Sequence, residues 1–444
     1  MGSSNIGGRV QEAVFCGPNG NENASNAFTL LPGTQSAISW HLSAHNVEGA
    51  WAYNTGEGTT IGVIDTSIDG AQELLTQTEF DWDAANPRTI ELFNNEEDCA
   101  HGTTVTGMIA SPLNNDNAIT GVAYRASIKA YKAGDGVVLD TNHEKQDLID
   151  ALEQFALDTD VRVINISLGY LFYKQTVWDA LVVAETAGKL VVCAAGSVIG
   201  LGVFPARHSN TLAVTGVKFN PTGDPNGIYL NVYAGNNNGS FVDFCTYLER
   251  TSDGRLALGM HNDTQDRIKA KGSSAAAALV SGVADLVWAQ NPGLTRSGVI
   301  NILKNASSNY IHDQIRDSQY GWGVIDAEVA LVLAEFGFVN ATITGPSVIS
   351  QTGYRYWNSN VSNAGGSVSY EWSWNGVAVG WSSSYGRNFS TLVPASAQLK
   401  LVVTTSLGQQ DVTYKSITIT DGTKGGGNEI ESSYEKIIPY FISF

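Results

Sequence analysis

Three short segments of the chain carry side chains that could together perform nucleophilic catalysis. Residues 272–282 form a turn of small residues that leads into an apolar helix, and Ser274 lies at the positive end of that helix. Residues 61–66 form an apolar strand that includes the carboxylate of Asp65, and His101 begins a second helical segment. A serine alone could be a helix cap. A serine, a histidine and a carboxylate are the parts of an acyl-transfer site.

Each of the three side chains has its own predicted task. Neutral serine is a poor nucleophile, so Ser274 needs a base within hydrogen-bond reach. Of the seven histidines, only His101 follows an acidic loop at a glycine-flanked helix start, which makes it the predicted base. Asp65 would hold the imidazole in the required tautomer. Asp69 is the alternative carboxylate, but it lies past the strand end, where capping a turn is the more ordinary role.

The order Asp65, His101, Ser274 with these flanking residues resembles the subtilisin-like serine peptidases. The resemblance extends from about Trp40 to about Leu331. It implies a serine endopeptidase that hydrolyses peptide bonds through an acyl-enzyme intermediate. Further runs similar to those of the family occur in the same order at residues 121–123, 164–169, 191–196, 205–206 and 321–327.

The pattern of apolar residues independently predicts an α/β fold with a doubly wound, mostly parallel sheet. Short apolar runs alternate with amphipathic stretches, which is typical of strands covered by helices on both faces. In such sheets, sites form at the carboxyl ends of strands, where Asp65 lies. The predicted strands are 60–64, 127–131, 161–166, 190–194 and 212–217, and the predicted helices are 105–110, 146–157, 176–187, 275–290 and 296–305.

After about residue 338 the pattern changes to short alternating strands separated by Gly, Ser and Asn turns, which predicts a small all-β sandwich. In pattern only, it resembles the immunoglobulin-like accessory domains of bacterial secreted enzymes. Trp372, Trp374 and Trp381 could stack on sugars, but alternate strand residues share a face, which favours core packing for the first two. The predicted organisation is an N-terminal arm (1–37), a peptidase domain (38–336), an immunoglobulin-like sandwich (338–422), and a linker and tail (423–444).

Three positions differ from the pattern of the family. The family has an asparagine after its Ala-Ala-Gly run, whose amide binds the oxyanion, and this chain has Ser197 there. Removal of one such donor lowers turnover by about 10² to 10³. The backbone N–H of Ser274 is the second predicted donor, so we expect either a slower enzyme or an oxyanion site completed by a neighbouring group. Ala278 replaces a proline and Ser67 replaces a glycine, and neither change removes a triad member.

The resemblance also assigns substrate and metal positions. Ser167, Leu168 and Gly169 align with the strand whose main chain pairs with an extended substrate. The Asn-rich run before Gly121 aligns with a calcium loop, although a plain Asn-rich turn is the competing interpretation. The implied calcium ligands are the Asn115 side chain, the carbonyls of Leu113, Asn117 and Ile119, and the carboxylate of Glu73.

Composition limits the partners and the cysteine chemistry. A net charge of −18 over 444 residues argues against nucleic acid and anionic membranes as partners, although solubility is its ordinary explanation. No run approaches the length of a transmembrane helix, so membrane insertion is not expected. The four cysteines show no metal-binding spacing. Cys193 is predicted to be a small buried hydrophobe, and Cys16 could pair with Cys99 or Cys245.

Two other functions and a location complete the expectations. The alternative is a catalytically weak or inactive binding or adhesion protein on a peptidase scaffold, because Ser197 and Ala278 depart from the family and residues 1–37 are too short for an inhibitory pro-segment. A peptide-bond-forming enzyme would share the triad. No signal peptide is visible. The sandwich and the acidic surface nevertheless predict an extracellular or cell-envelope protein that acts on protein or peptide substrates, with its oligomeric state undetermined.

Overall fold

Strands alternate with helices along the first of two units, Met1–Glu335 and Phe336–Phe444, into which the chain divides. The computed structural model describes residues 28–30, 37–68, 89–94, 101–112, 120–197, 202–219, 231–232, 236–252, 255–260, 267–270, 272–308 and 316–420. A short antiparallel hairpin, β1 (Phe28–Leu30) and β2 (Ala37–Ser39), precedes the main sheet. The rest of the predicted N-terminal arm lies outside the described residues.

A ten-stranded sheet forms the centre of the first unit. Parallel pairing connects seven neighbouring strands, β10, β8, β7, β6, β3, β5 and β4, whereas β9, β11 and β12 pair antiparallel. The strand order is β12-β11-β10-β8-β7-β6-β3-β5-β4, with β9 beside β8. The strands are β3 (Thr60–Asp65), β4 (Ile90–Phe93), β5 (Ser127–Lys132), β6 (Val161–Ile166), β7 (Leu190–Ala194), β8 (Thr211–Phe219), β9 (Asn231–Val232), β10 (Phe244–Arg250), β11 (Arg255–Met260) and β12 (Arg267–Ala270).

Helices flank this sheet, so the predicted mostly parallel α/β fold is confirmed. Two of their starts follow local capping signals that the apolar period does not carry. One helix begins at Asn142 because Thr141 and Glu144 form a reciprocal capping box. The helices are α1 (Trp40–Ala44), α2 (Val47–Ala50), α3 (His101–Ala110), α4 (Asn142–Leu157), α5 (Gln175–Thr186), α6 (Gly272–Gln290), α7 (Arg296–Asn305) and α8 (Ala327–Phe336).

The sheet is buried against α4 and α5 on one face, where Phe155, Leu181 and Cys193 belong to one apolar cluster. Helix α6 packs against β6, β7 and β8. Among the described residues α6 is the only helix long and apolar enough to cross a membrane, and 94% of its apolar window is buried inside the protein, as expected for a core helix. The helix that carries Ser274 is therefore enclosed by the fold.

Two cysteines have defined positions. Cys193 is buried in β7 as a free thiol, which confirms its predicted packing role. Cys245 is also buried and free, and its thiol donates to the carbonyl of Tyr320 over 3.2 Å. The pairing of Cys16 with Cys99 or Cys245 stays a prediction. Cys16 and Cys99 lie outside the described residues.

Asp285 is a buried acid in the middle of α6, with 1% of its surface exposed. Burial raises its pKa from 3.8 to about 7. The hydroxyl of Thr59 lies 2.6 Å from Asp285 Oδ2 and 2.7 Å from the carbonyl oxygen of Gly56. One hydroxyl proton cannot serve both acceptors, so a protonated Asp285 that donates to Thr59 satisfies every group.

We expect Asp285→Asn to remove a pH dependence of stability. The raised pKa means that Asp285 stabilises the fold below about pH 4 and that this contribution is lost as the pH rises through about 7. The loss is on the order of 4 kcal/mol. Asparagine can donate to Thr59 at every pH, so the variant should have a higher Tm than the wild type above pH 7. Calorimetry between pH 4 and 8 measures this, with the exposed-acid variant Glu153→Gln as control. Equal wild-type and Asp285→Asn profiles would contradict it.

The second unit is a sandwich of two sheets, and the predicted small all-β sandwich is confirmed. Its sheets have the orders β13-β15-β18 and β14-β20-β19-β16-β17. Both contribute to one core, in which Trp357 belongs to the first sheet and Trp372 and Trp374 to the second. Core packing of the last two is thus confirmed, whereas Trp381 is 72% exposed. The strands are β13 (Asn340–Thr344), β14 (Val348–Ile349), β15 (Gly353–Ser362), β16 (Val368–Trp374), β17 (Val377–Gly380), β18 (Ser384–Phe389), β19 (Ala395–Thr405) and β20 (Gln410–Ile419).

Candidate active site

Asp65 and His101 meet at the carboxyl end of β3. Asp65 is the last residue of β3 and His101 is the first residue of α3, and both are 1% exposed. His101 Nδ1 lies 2.6 Å from Asp65 Oδ1, which also accepts a hydrogen bond of 2.7 Å from the Thr66 backbone N–H. The carboxylate is therefore held by its own strand end while it contacts the imidazole.

Gly102 explains how α3 can begin so close to β3. A side chain at Gly102 would lie within 2.5 Å of the carbonyl oxygens of Thr66 and Ser67. The Gly102 N–H instead donates to the Thr66 hydroxyl over 2.9 Å. The glycine after the histidine thus permits the close approach that brings His101 to Asp65. The rival carboxylate Asp69 lies outside the described residues.

Ser274 lies in the first turn of α6, next to the end of β6. Gly272 opens the helix at a φ of 77°, a conformation that favours glycine. Ser274 Oγ donates to the carbonyl of Ser167 over 3.2 Å, and Ser167 Oγ donates to the carbonyl of Ser274 over the same distance. The sequence predicts a bond from Ser274 to His101, and in this structure the Ser274 hydroxyl is bonded to Ser167 instead.

Sequence reasoning missed Asn165, which supports this arrangement from inside the sheet. Asn165 is fully buried in β6, donates to Ser167 Oγ over 3.0 Å and accepts from Ser281 Oγ on α6 over 3.0 Å. Its signal is an amide in the middle of an apolar strand, where an unpaired polar group would be costly. Asn165 thereby ties β6 to the helix that carries Ser274.

Ser197 and Ser273 connect the end of β7 to the start of α6. The Gly196 N–H donates to Ser273 Oγ over 2.9 Å, and the Ser273 N–H donates to Ser197 Oγ over 3.3 Å. Ser197 Oγ in turn donates to Oδ1 of Asn236 over 2.8 Å. The single hydroxyl proton of Ser197, one of the two predicted oxyanion donors, is thus directed to Asn236 in this structure.

Asn236 is the second polar residue that the sequence did not single out. It is 8% exposed, forms an isolated bridge with Ser197, and its Nδ2 has no hydrogen-bond partner in the described part of the chain. Position 236 is 39 residues from Ser197, so no local pattern connects the two. The run Asn236–Asn238 is the only trace in the sequence.

The predicted substrate strand, Ser167 to Gly169, is only partly open. The Gly169 N–H donates to the carbonyl of Val137 over 3.1 Å, and the Gly169 carbonyl accepts from the Leu139 N–H over 2.9 Å. Leu168 is buried. The main chain of Gly169 is thus already paired with residues 137–139, whereas the Ser167 carbonyl is engaged by the Ser274 hydroxyl.

The structure does not describe the predicted calcium ligands. Glu73, Leu113, Asn115, Asn117 and Ile119 all lie outside the described residues. Within the ranges that the structure does describe, no group of three or more His, Cys, Asp or Glu side chains could hold a metal ion.

Solved structures with the same fold include two proteases. The MycP3 protease of the type VII (ESX-3) secretion system is 25% identical with a TM-score of 0.51, and the match covers 68% of this chain and 91% of that one. A protease of Pseudoalteromonas arctica is 24% identical with a TM-score of 0.50, over 66% of this chain and 96% of that one. The second likeness shows the fold alone.

Similar sequences are also named as proteases. A halolysin-like extracellular serine protease of Natrialba magadii is 28% identical over 299 residues, 64% of this chain but only 50% of that protein. Subtilisin Savinase of Lederbergia lenta is 28% identical over 302 residues, 66% of this chain and 98% of that protein. The family model described as Subtilase family matches residues 56–323, which include Asp65, His101 and Ser274. The chain belongs to the subtilase family.

Proposed function

We propose that this protein is a serine endopeptidase that hydrolyses peptide bonds in extended protein segments with Asp65, His101 and Ser274 as its catalytic residues. The observation that carries the proposal is the 2.6 Å contact between buried Asp65 and His101 at the end of β3. Membership of a family with protease relatives supports the same reaction.

Substrate binding would prepare the nucleophile. An extended peptide can donate a backbone N–H to the Ser167 carbonyl, the acceptor that the Ser274 hydroxyl uses in this structure. Loss of that bond frees Ser274 Oγ to turn towards His101. Catalytic hydrogen bonds are commonly loose without substrate and tighten in the complex. The bond to Ser167 is therefore compatible with catalysis.

The chemistry then follows the triad order. His101 takes the Ser274 hydroxyl proton while Ser274 Oγ attacks the scissile carbonyl carbon, and Asp65 stabilises the imidazolium. The tetrahedral intermediate collapses as His101 returns the proton to the leaving amine, which leaves an acyl-enzyme. Water, deprotonated by His101, attacks the acyl carbon and releases the acid and the serine hydroxyl. Each half-reaction leaves His101 neutral again: the serine proton departs with the amine, and a proton from water restores the serine hydroxyl.

Negative charge on the carbonyl oxygen would be met at the start of α6. The backbone N–H of Ser274 lies in the first helical turn, whose N–H groups have no partner within the helix and carry the positive end of the helix dipole. Ser197 is the side chain beside this turn that can add a second donor, because its Oγ is 3.3 Å from the Ser273 nitrogen. These two groups form the proposed oxyanion site.

Location and metal binding are further parts of the proposal. One relative is named as extracellular and another as part of a secretion system, which favours an extracellular or cell-envelope location. Calcium binding by Glu73, Leu113, Asn115, Asn117 and Ile119 stays a prediction from the resemblance. The comparisons do not favour a non-catalytic binding protein.

A serine-reactive probe tests the proposed function. The purified protein is incubated with a fluorophosphonate and, separately, with unfolded casein. We expect covalent labelling of the peptide that contains Ser274 and new internal termini in the casein. Heat-denatured protein is the control, because labelling that survives unfolding is not due to an activated serine. Absence of both labelling and cleavage from pH 5 to 10, with or without calcium, would refute the endopeptidase proposal.

A further inference from the structure

The Ser197–Asn236 pair places a buried amide behind the proposed oxyanion site. Ser197 Oγ accepts a hydrogen bond from the Ser273 N–H and donates a hydrogen bond to Asn236 Oδ1. The other end of this amide, Nδ2, is enclosed without a hydrogen-bond partner in the described part of the chain. Burial of an unpaired amide nitrogen is unfavourable, so its position requires an explanation.

A half-turn of the amide about its Cβ–Cγ bond satisfies that nitrogen. In the turned orientation Nδ2 donates to Ser197 Oγ, and both acceptor positions of the hydroxyl are filled by N–H groups of Ser273 and Asn236. The Ser197 hydroxyl then has no acceptor on Ser273 or Asn236. It becomes available to an oxygen bound at the start of α6.

Gly216 provides the room for either orientation. A Cβ atom at Gly216 would lie 2.4 Å from Asn236 Nδ2, so only glycine leaves this side of the amide open. In the turned orientation Oδ1 faces the Gly216 Cα–H, which is a weak donor. Each orientation leaves one amide atom poorly satisfied, and this near balance allows a nearby charge to decide between them.

We propose that Asn236 is a positioning residue that switches Ser197 from a committed donor to an oxyanion donor. The inference rests on the proposed function. When the substrate carbonyl oxygen becomes negative, the Ser197 hydroxyl donates a charge-assisted hydrogen bond to it instead of a neutral hydrogen bond to Asn236 Oδ1. The Asn236 amide then turns, and its Nδ2 donates to Ser197 Oγ. Asn236 acts through Ser197, because its own nitrogen is enclosed beside Gly216 and Leu248. The side-chain amide that the family has at position 197 is thus replaced by two groups, the Ser197 hydroxyl and the Asn236 amide.

Two substitutions of similar volume separate this role from others. Aspartate at 236 can only accept from Ser197 and keeps the hydroxyl committed, whereas leucine neither accepts nor donates. We expect Asn236→Asp to lower kcat by about tenfold or more with little change in KM, and Asn236→Leu to retain kcat within about threefold. Ser197→Ala should lower kcat at least as much as Asn236→Asp. In the Ser197→Ala background the effect of Asn236→Asp should shrink by at least about threefold.

Affinity for a peptide aldehyde provides a readout that a structural role would not change. The aldehyde forms a tetrahedral adduct with an anionic oxygen, so its affinity should fall in parallel with kcat, while the affinity of the product peptide stays constant. Tm is measured for every variant. If Asn236→Asp does not fold, the contrast between Asn236→Leu and Ser197→Ala decides instead.

Several results would overturn the proposal. Equal kcat losses in Asn236→Asp and Asn236→Leu, accompanied by lower Tm, would make Asn236 structural. A kcat loss in Asn236→Leu that persists in Ser197→Ala would make Asn236 a direct donor. Unchanged kcat in Ser197→Ala would remove the link through Ser197. A wild-type protein that neither cleaves casein nor reacts with the probe would overturn the endopeptidase proposal and this one together, whereas an active wild type confines the failure to Asn236.

Discussion

Ser274→Ala is expected to lower kcat by roughly 10⁶, the scale on which loss of the serine acts in a subtilisin. Alanine leaves no oxygen to attack the carbonyl, and only substrate binding and the oxyanion donors remain. The fold should persist, because the substitution removes one hydrogen bond, from Ser274 Oγ to the Ser167 carbonyl. Its net contribution to stability is about 1 kcal/mol.

Steady-state cleavage of an unfolded substrate and probe labelling measure this loss, with Tm measured in parallel. Ser297→Ala removes an exposed serine from α7 of the same unit and is the matched control. It should retain full kcat. Cleavage by Ser274→Ala at even a hundredth of the wild-type rate would assign the nucleophile to another residue.

Asp65→Asn is expected to lower kcat by about 10⁴ at neutral pH. Asp65 Oδ1 accepts from the Thr66 N–H and also contacts His101 Nδ1, so the asparagine oxygen keeps this position and the new NH₂ group takes the place of Oδ2. His101 then keeps its proton on Nδ1 but faces a neutral amide. The imidazolium that forms during catalysis loses its stabilising negative charge, although the geometry of the site is preserved.

Asp69→Asn is the control for this prediction, because the sequence left Asp69 as the alternative carboxylate. It should retain kcat within about threefold. Proton NMR of the histidine ring follows the tautomer independently of turnover and should show the proton on Nδ1 in both the wild type and Asp65→Asn. A large loss in Asp69→Asn together with an active Asp65→Asn would reverse the assignment.

The sheet and its helices could be predicted because burial on both faces produces long apolar runs. Strand Val161–Ile166 and helix Arg296–Asn305 have the predicted bounds. Strands β11 and β12 at the edge of the sheet were not predicted. Both are short, and β12, the edge strand, carries an arginine and a lysine, as is common where one side of a strand lacks a partner. The start of α4 was not predicted, because the capping box sets it and the spacing of apolar residues does not reveal that box.

The hydrogen bonds within the site were less predictable from the sequence than the strands and helices. Asp65 and His101 were predictable because each ends or begins an element beside glycine or small residues. The bonds from Ser274 to Ser167 and from Ser197 to Asn236 join segments far apart in the sequence, and hydroxyls and amides can pair in many ways. Which pairs form depends on packing between elements. A single sequence does not display that packing.

The pairing of Gly169 with residues 137–139 has a consequence for selectivity. An extended peptide that takes this edge displaces two hydrogen bonds, to Val137 and from Leu139, and regains two of the same kind. Such an exchange conserves the number of backbone bonds and contributes little net affinity. Discrimination among peptides at this position must therefore come from their side chains. A polyglycine segment should compete poorly for this edge, and strand displacement should set how quickly a good substrate is accommodated.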